Sequence, residues 1–295
     1  MEIIRTIPAL RAALRAAGGS VGFVPTMGAF HDGHASLMRR AREECDTVVV
    51  SLFVNPAQFP DRSVFEAYPR DEARDARIAG EQGVDLLFAP EAAEMYPDGF
   101  ATEVRIDGPL SQTLIRSGLS GDGQLTGMCT VIVKLLNIVG PDIVYFGEKD
   151  LPHWIAVERM AGDLNVPAEI RVLPTVREAD GLAMSSRNVH LGPHRARAAC
   201  VPRALNAALA VVAEGGRDPR DARARALAEL AAEGVDVEYF EILDGRTLCP
   251  VDDLATPAVV AIGARVGAVS LLDIARTAPP THDAAAGRTT AAHVS

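Results

Sequence analysis

Two histidines within four residues, His31 and His34, are the strongest chemical signal in this sequence. They follow an apolar run at residues 21–24, which is typical of a buried strand, and they precede a pattern that predicts a helix beginning near residues 35–36. A helix start offers unpaired backbone N–H groups and a partial positive charge, so it attracts anions such as phosphate. Two imidazoles ahead of it would add donors toward the same anion. The plainer interpretation is a strand–helix connection with incidental histidines.

Two further polar clusters follow predicted strands or turns later in the chain. One is Gly147-Glu148-Lys149-Asp150 and the other is Ser185-Ser186-Arg187. Lysine and arginine offset the charge that gathers on a transferring phosphoryl group, and hydroxyls bind phosphate oxygens. A single Lys or Arg is more often a solvated surface charge, so the argument depends on the clusters occurring together. No Walker P-loop occurs, and no Gly-x-Gly-x-x-Gly follows the first strand, which disfavours a kinase or a dinucleotide-binding protein.

The elements that would position these clusters alternate between strand and helix. A continuous apolar run such as 47–54 is typical of a strand covered on both faces, and the alternation predicts an α/β fold with a parallel sheet. Open sheets of this kind bind ligands at the carboxyl ends of their strands. Besides the strand before His31, the predicted strands are 47–54, 84–90, 101–106, 142–146 and 169–174, the predicted helices are 7–17, 36–44, 70–82, 128–139 and 152–164, and 118–127 is predicted as a loop.

The composition changes after about residue 189, which marks a second and smaller α+β domain. Its predicted elements are helices at 195–214 and 218–233 and strands at 237–243, 258–262 and 270–274. The last segment is rich in Ala, Thr and Pro, and it is predicted to be disordered. The predicted boundaries are therefore 1–176, 177–276 and 277–295.

Composition excludes several classes of partner. A net charge of -10 argues against a nucleic-acid-binding surface and against an anionic membrane face. Nothing at the amino terminus resembles a signal peptide, and no apolar run is expected to span a bilayer. The cysteines lack the paired spacing of zinc or redox sites, so we expect reduced thiols in the cytoplasm; they are Cys45, Cys129, Cys200 and Cys249.

Several motifs in a fixed order carry a family resemblance that covers the chain to about Ile274. They are Pro25-Thr26-Met27-Gly28 with His31-Asp32-Gly33-His34, Phe53 to Phe59, Tyr68-Pro69-Arg70, Met95 to Gly99, Tyr145 to Asp150, and Pro174 to Asn188. In this order they resemble the pantothenate synthetase (pantoate–β-alanine ligase) family of the HxGH nucleotidyltransferase-like superfamily. The resemblance implies a Rossmann-like amino-terminal domain, a smaller carboxyl-terminal lid domain and a homodimer.

The resemblance also implies an ATP- and Mg²⁺-dependent ligase that works in two steps. The carboxylate of a small hydroxy acid attacks the α-phosphate of ATP, giving an acyl-adenylate and pyrophosphate. An amine such as β-alanine then attacks the adenylate, giving an amide and AMP. A mixed anhydride hydrolyses easily, so a lid that excludes water would protect it.

Roles carried over from the family fall on three groups of residues. The implied catalytic residues are His31, His34, Lys149, Ser185, Ser186 and Arg187, the last three resembling the mobile KMSKS-type loop of synthetases. The implied nucleotide contacts are Pro25, Thr26, Met27, Gly33, His34, Gly147, Lys149, Asp150, Val176, Met184, Ser185 and Arg187. The implied acid contacts are Met27, Asn55, Gln58, Tyr68, Gln124 and His153. No residue is assigned to a metal.

The acid half of this pattern departs from the family, whereas the ATP half is intact. The family usually has Tyr-Gln-Gln after Gly-Glu-Lys-Asp, but here the run is Leu151-Pro152-His153, so an imidazole replaces an amide. The segment that normally reads Arg-Pro-x-His-Phe is Gly121 to Leu125, and Ser270 replaces an arginine near the end. The departures fit either drift in an ordinary pantothenate synthetase of coenzyme A biosynthesis or specialisation for another acid or amine. A nucleotidyltransferase that makes no amide, and a catalytically silent binding protein, are the remaining alternatives.

Overall fold

The computed structural model describes residues 1–59, 61–245 and 247–277. Its strands are β1 (Glu2–Ile4), β2 (Val21–Thr26), β3 (Thr47–Leu52), β4 (Leu86–Phe88), β5 (Ile143–Gly147), β6 (Glu169–Leu173), β7 (Asp236–Asp244), β8 (Ala258–Val266) and β9 (Val269–Arg276). Its α-helices are α1 (Ile7–Ala17), α2 (Asp32–Glu44), α3 (Arg62–Ala67), α4 (Glu72–Glu81), α5 (Ala92–Met95), α6 (Pro109–Arg116), α7 (Asp122–Val139), α8 (Leu151–Asp163), α9 (Arg195–Ala198), α10 (Cys200–Ala213) and α11 (Pro219–Ala232). Short 3-10 turns occur at Pro56–Gln58, Glu148–Asp150, Ser186–His190 and Gly192–His194. Residues 278–295 of the predicted tail lie outside the described residues.

The first six strands form one parallel sheet in the order β1-β4-β3-β2-β5-β6. The chain builds outward from β2 to β3 and β4, and later returns to add β5 on the other side of β2. The order therefore reverses between β2 and β5, where Phe23 pairs with Val144. In open α/β sheets the crevice at such a reversal is the usual ligand site. The predicted α/β class is confirmed, and the sheet brings the polar segments after β2 and β5 side by side.

Alternation along the buried strands divides the core between the two faces of this sheet. Val49 of β3 belongs to one apolar cluster with Phe23, whereas Val48 and Val50 belong to a second cluster with Val24. Successive side chains of a strand point to opposite faces, so an unbroken apolar run is what burial on both faces requires.

The last three strands form a separate antiparallel sheet in the order β7-β8-β9. Helices α10 and α11 pack on one of its faces, where Val260 and Ile262 join their apolar cluster. The opposite face contributes Val259 and Ala261 to the core of the parallel sheet. Strand β8 is therefore a single layer shared by two cores.

Two predictions about local structure are wrong at the site itself. Helix α2 begins at Asp32 rather than near 35–36, because the His31 side chain occupies the N-cap position. Helix α7 begins at Asp122, inside the predicted loop 118–127. Glycine is a poor helix former, but a Cβ on Gly127 would lie 2.1 Å from the Ala57 carbonyl oxygen. The glycine thus permits close contact between α7 and the turn at residues 56–58.

Two further differences concern strands. The alternating segment 101–106 forms no strand; Val104 and Ile106 pack on the core, and the Val104 amide donates to the Thr130 hydroxyl at 2.9 Å. Conversely, β1 pairs with β4 in parallel at the sheet edge, where no strand was predicted. Three residues are too few for a periodic signal, so only the tertiary pairing identifies them.

The expectation that no apolar run could span a bilayer is wrong by length and composition, because Gly192–Ala213 meets both criteria. In the fold this segment comprises a 3-10 turn, α9 and α10 rather than one uniform helix. Val201, Leu205 and Val211 are buried within the cluster formed with α11 and the antiparallel sheet. The apolar character of the segment is explained by this core position.

Candidate active site

A cavity of about 280 Å³ lies at the carboxyl ends of the central strands, beneath the segment that carries Ser185. It brings together every predicted site residue except Asn55. Its lining includes Pro25, Thr26, Met27, His31, Gly33, His34, Gln58, Tyr68, Gln124, Gly147, Lys149, Asp150, His153, Val176, Met184, Ser185, Ser186 and Arg187.

The two histidines are held in one tautomer by the backbone of their own turn. The Gly33 amide donates to His31 Nδ1 at 3.1 Å, and the His31 amide donates to His34 Nδ1 at 3.3 Å. An imidazole nitrogen that accepts carries no proton, so in the neutral rings the proton is on Nε2. The ring centroids are 4.1 Å apart. Each ring therefore has one N–H donor left for a ligand, at the start of a helix that also attracts anions.

Both imidazoles are uncharged at neutral pH. Burial, reinforced by the Lys149 ammonium, lowers the pKa of His31 to about 4. Burial, His31 and Lys149 together hold the pKa of His34 well below its ordinary value. Two neutral donors beside one fixed positive charge suit an anionic ligand whose charge increases during a reaction.

This shift predicts a loss of stability in mild acid. Between the ordinary pKa of about 6.5 and the folded value, the unfolded chain binds a proton at His31 that the folded chain does not. The titration of His31 should therefore contribute about 2 kcal/mol to the fall in the free energy of unfolding between pH 7 and pH 5, measured by urea unfolding. In His31→Asn, which keeps an N-cap acceptor but cannot titrate, the fall should be smaller. An equal fall in both proteins would contradict the assignment to His31.

The backbone before the histidines is fixed by a buried carboxylate that sequence reasoning missed. Asp75 of α4 is 1% exposed and accepts from the Ala29 and Phe30 amides, both at 2.8 Å. Gly28 has φ +89, and a Cβ there would lie 2.6 Å from a Leu52 methyl carbon. Asp75 therefore determines where the chain enters the histidine turn.

Lys149 lies on the 3-10 turn that follows β5, and it lines the same cavity as the histidines. Its Nζ donates to the Met184 carbonyl at 2.6 Å, which links the turn to the segment before Ser185. The preceding residue, Glu148, accepts from Arg276 Nε of β9 at 2.8 Å. The turn that carries the Lys149 ammonium is thus linked both to the segment before Ser185 and to strand β9 of the antiparallel sheet.

The serine pair and Arg187 line the cavity from the segment that follows Met184. Ser185 caps the short turn by accepting from the Arg187 amide at 3.3 Å, and the Arg187 guanidinium donates to the Ser270 carbonyl at 3.3 Å. Burial raises the pKa of Tyr68, and a hydrogen bond to Ser186 acts in the opposite direction. Hydroxyl and guanidinium groups therefore line the same cavity as the histidine turn.

The remaining wall combines apolar side chains with three polar ones. Gln58, Gln124 and His153 provide the polar groups, and burial lowers the pKa of His153, which favours a neutral ring. The apolar part of the wall includes Phe53, Leu119, Met128, Val131, Ile132 and Leu135. A few polar groups in an apolar wall are typical of a site for a small organic molecule.

Asn55 does not line the cavity, which differs from its predicted contact with the acid. The residue is 1% exposed, and its side chain is engaged by the backbone of Ala57 and Gly127 and by the side chains of Gln58 and Tyr96. Its position behind Gln58 depends on contacts distant in sequence, so the motif alone could not reveal it.

Thr175 lines the cavity but was not among the predicted residues. It follows β6, and its hydroxyl is buried without a hydrogen-bond partner among the described residues. Buried polar groups in proteins are nearly always paired, so this oxygen is suited to a polar ligand atom. Its place after a parallel strand is the signal that could have identified it.

Comparisons with known proteins identify the family of the chain. A family model described as Pantoate-beta-alanine ligase matches residues 2–276. Pantothenate synthetase of Pelotomaculum thermopropionicum is 47% identical over 281 residues, covering 92% of this chain and 98% of the relative. Pantothenate synthetase of Heliobacterium modesticaldum is 46% identical over 275 residues, covering 92% of this chain and 97% of that relative.

Solved structures give the same result. The crystal structure of pantothenate synthetase from Thermus thermophilus matches with a TM-score of 0.89 at 42% identity, covering 95% of this chain and 100% of that chain. Pantoate-beta-alanine ligase from Francisella tularensis, crystallised with Beta-gamma ATP and Beta-alanine, matches with a TM-score of 0.75 at 29% identity, covering 94% and 98%. The predicted family is confirmed: the chain belongs to the pantoate–β-alanine ligase family.

Proposed function

We propose that this enzyme joins pantoate to β-alanine at the expense of ATP, releasing pyrophosphate and AMP. The observation that carries the proposal is the convergence of three anion-binding groups on one cavity: the histidine turn, Lys149, and the segment from Ser185 to Arg187. The Francisella tularensis relative, crystallised with an ATP compound and β-alanine, supports the same pair of ligands.

In the first step, a pantoate carboxylate oxygen attacks the α-phosphorus of ATP, and the bond to the β-phosphate oxygen breaks. Pyrophosphate leaves with that electron pair, and an acyl-adenylate is formed. The Nε2–H groups of His31 and His34 and the ammonium of Lys149 stabilise the added charge on the phosphoryl oxygens. Ser185, Ser186 and Arg187 hold the departing phosphates from the opposite side.

In the second step, the β-alanine nitrogen attacks the acyl carbon, and the bond to the phosphate oxygen breaks. The amine loses a proton as the amide forms, and AMP departs. Met184, Arg187 and side chains of α7 line the cavity, and their closure over the adenylate would exclude water.

The cavity offers contacts for a nucleotide, and a metal ion would have to be bound by the nucleotide itself. The unpaired Thr175 hydroxyl and the adjacent Val176 offer polar and apolar contacts beside Gly147 and Asp150, where we place the nucleoside. Within the described ranges, no group of three or more His, Cys, Asp or Glu side chains could hold a metal ion. We therefore propose that Mg²⁺ arrives bound to phosphate oxygens of ATP, where it would offset their charge.

We further propose domain limits at 1–176 and 177–276, a homodimeric assembly as in the family resemblance, and a cytoplasmic location. The limits are supported by the separate parallel and antiparallel sheets. The location is supported by three buried, unpaired thiols, Cys45, Cys129 and Cys200, which suit a reducing compartment.

The decisive test is pyrophosphate release across a panel of small carboxylic acids, with and without β-alanine. Pantoate should give the highest kcat/KM, and AMP should be released continuously only when the amine is present. A different preferred acid would overturn pantoate as the substrate. An adenylate that never yields an amide would instead indicate a nucleotidyltransferase.

His153 provides a prediction about acid selectivity. Replacing it by glutamine should raise kcat/KM for pantoate relative to other small acids by about ten-fold, because a primary amide offers two donors and an acceptor, whereas a neutral imidazole offers one of each. Steady-state kinetics with pantoate and a competing hydroxy acid measure this ratio. An unchanged ratio would show that His153 does not contribute to acid selectivity.

Nucleotide binding should order the segment from Asp180 to Val189 and draw the second domain over the site. Ser185 and Arg187 belong to this segment, so the segment must approach the phosphates of ATP before these side chains bind them. Gly181, at φ +87, is suited to act as the hinge of the segment. Hydrogen exchange should slow in this segment when a non-hydrolysable ATP analogue saturates the protein, whereas α11 serves as an internal reference. Equal exchange in both states would contradict a closing segment.

A further inference from the structure

A chain of hydrogen bonds runs from Tyr96 through Asn55 to Gln58, which lines the cavity. The Tyr96 hydroxyl donates to Asn55 Oδ1 at 2.8 Å, and Asn55 Nδ2 donates to Gln58 Oε1 at 3.0 Å. Asn55 Nδ2 also donates to the Gly127 carbonyl at 3.0 Å, and the Ala57 amide donates to Asn55 Oδ1 at 3.3 Å. The Asn55 amide is therefore held by four hydrogen bonds and is almost fully buried.

Two backbone groups settle the orientation of both side-chain amides. A backbone N–H can only donate and a backbone carbonyl can only accept, so Ala57 and Gly127 identify the oxygen and the nitrogen of Asn55. The Gln58 atom that faces Asn55 Nδ2 must then be an acceptor, which is Oε1. The NH₂ group of Gln58 is left on the other side, and within the described residues it has no hydrogen-bond partner.

We infer that Tyr96 and Asn55 are positioning residues that fix Gln58 with its NH₂ group toward the acid substrate. The inference rests on the proposed function, in which Gln58 contacts pantoate. A carboxylate or a hydroxyl oxygen of the acid accepts from an amide NH₂, whereas a reversed Gln58 would present its carbonyl oxygen and repel the carboxylate. Asn55 therefore acts on the acid through Gln58 rather than by contact.

Tyr96 is built to donate in this arrangement. Burial raises the pKa of its hydroxyl to about 12, so the proton is retained at any physiological pH. Its ring packs against Phe53, with centroids 6.3 Å apart, and against Phe100, with centroids 5.0 Å apart. The hydroxyl thus approaches Asn55 Oδ1 from a fixed direction and occupies its second lone pair.

A double-mutant cycle with Tyr96→Phe and Gln58→Ala tests this coupling, with KM for pantoate and KM for ATP measured by pyrophosphate release. Tyr96→Phe keeps the ring and should raise KM for pantoate by about ten-fold while KM for ATP changes less than about two-fold. In the Gln58→Ala background, the same change should alter KM for pantoate less than about two-fold, because the group through which Tyr96 acts is gone.

The matched control is Tyr145→Phe, which removes a buried tyrosine hydroxyl that bonds Glu44 at 2.8 Å, away from the cavity. It should leave both KM values unchanged. Equal effects of Tyr96→Phe in the two backgrounds, an unchanged KM for pantoate, or an equal rise in KM for ATP would each overturn the inference and leave the proposed function intact. Failure of the unmodified protein to turn over pantoate would overturn both.

Discussion

Replacing Lys149 by alanine should lower the rate of adenylate formation by about 10²-fold or more. The ammonium lines the same cavity as the two neutral imidazoles, and its positive charge helps to lower the pKa of both. Charge that develops on the phosphoryl oxygens would lose this partner. His34→Ala, which removes a neutral donor, should also lower the rate by about 10²-fold.

The chain contains a matched control, because its only other lysine is Lys134. That ammonium lies 4.5 Å from the centroid of the Phe100 ring and does not line the cavity. Lys134→Ala should retain near-normal pyrophosphate exchange, measured together with circular dichroism for all variants. Near-normal exchange in folded Lys149→Ala would refute its assigned role.

The second large effect is expected from Asp75→Asn, although Asp75 touches no ligand in the proposed mechanism. Both carboxylate oxygens accept backbone N–H groups of the turn before His31, and an amide offers one acceptor and one donor in their place. One amide would be left unpaired in a buried position, costing about 1–3 kcal/mol. The resulting shift of the histidine turn should lower kcat/KM by about 10²-fold, since small displacements of catalytic groups are costly.

Asp85→Asn is a control that distinguishes displacement of the histidine turn from a general loss of folding stability. Asp85 accepts from the Val48 amide at 2.8 Å and from Arg42 at 2.7 Å, at the amino ends of the strands and far from the cavity. Chemical denaturation should show both variants to be destabilised, whereas only Asp75→Asn should lose kcat/KM at a temperature where both are folded. Equal kinetic losses would show that the turn is not specifically positioned by Asp75.

Sequence was informative wherever a local pattern was sufficient. The apolar run around Val49 predicted a strand buried on both faces, and the ordered motifs predicted the family and a set of site residues of which all but Asn55 line the cavity. Both signals arise from neighbours in the chain: strand periodicity in one case, and a turn that binds anions in the other.

The remaining features depend on contacts between distant segments. Asp75 reaches the turn before His31 from a helix that comes much later in the chain, and nothing in α4 distinguishes it from an exposed acid. The start of α7 was missed because its glycines are typical of a loop. Only the structure shows that Gly127 lies against the Ala57 carbonyl, where a side chain would not fit. Asn55 looked like a substrate contact because its motif shows the residue type but not what surrounds it.

The shared strand β8 has a consequence for how the chain unfolds. Val259 and Val260 are neighbours, yet one belongs to the core of the parallel sheet and the other to the core beneath α10 and α11. If either core unfolds, one face of β8 loses its apolar contacts and is exposed to water. The other core, which packs on the opposite face of the same strand, is then destabilised as well. We therefore expect the two sheets to melt as one cooperative unit, and a ligand that binds the cavity to raise the melting temperature of the carboxyl-terminal helices as much as that of the parallel sheet.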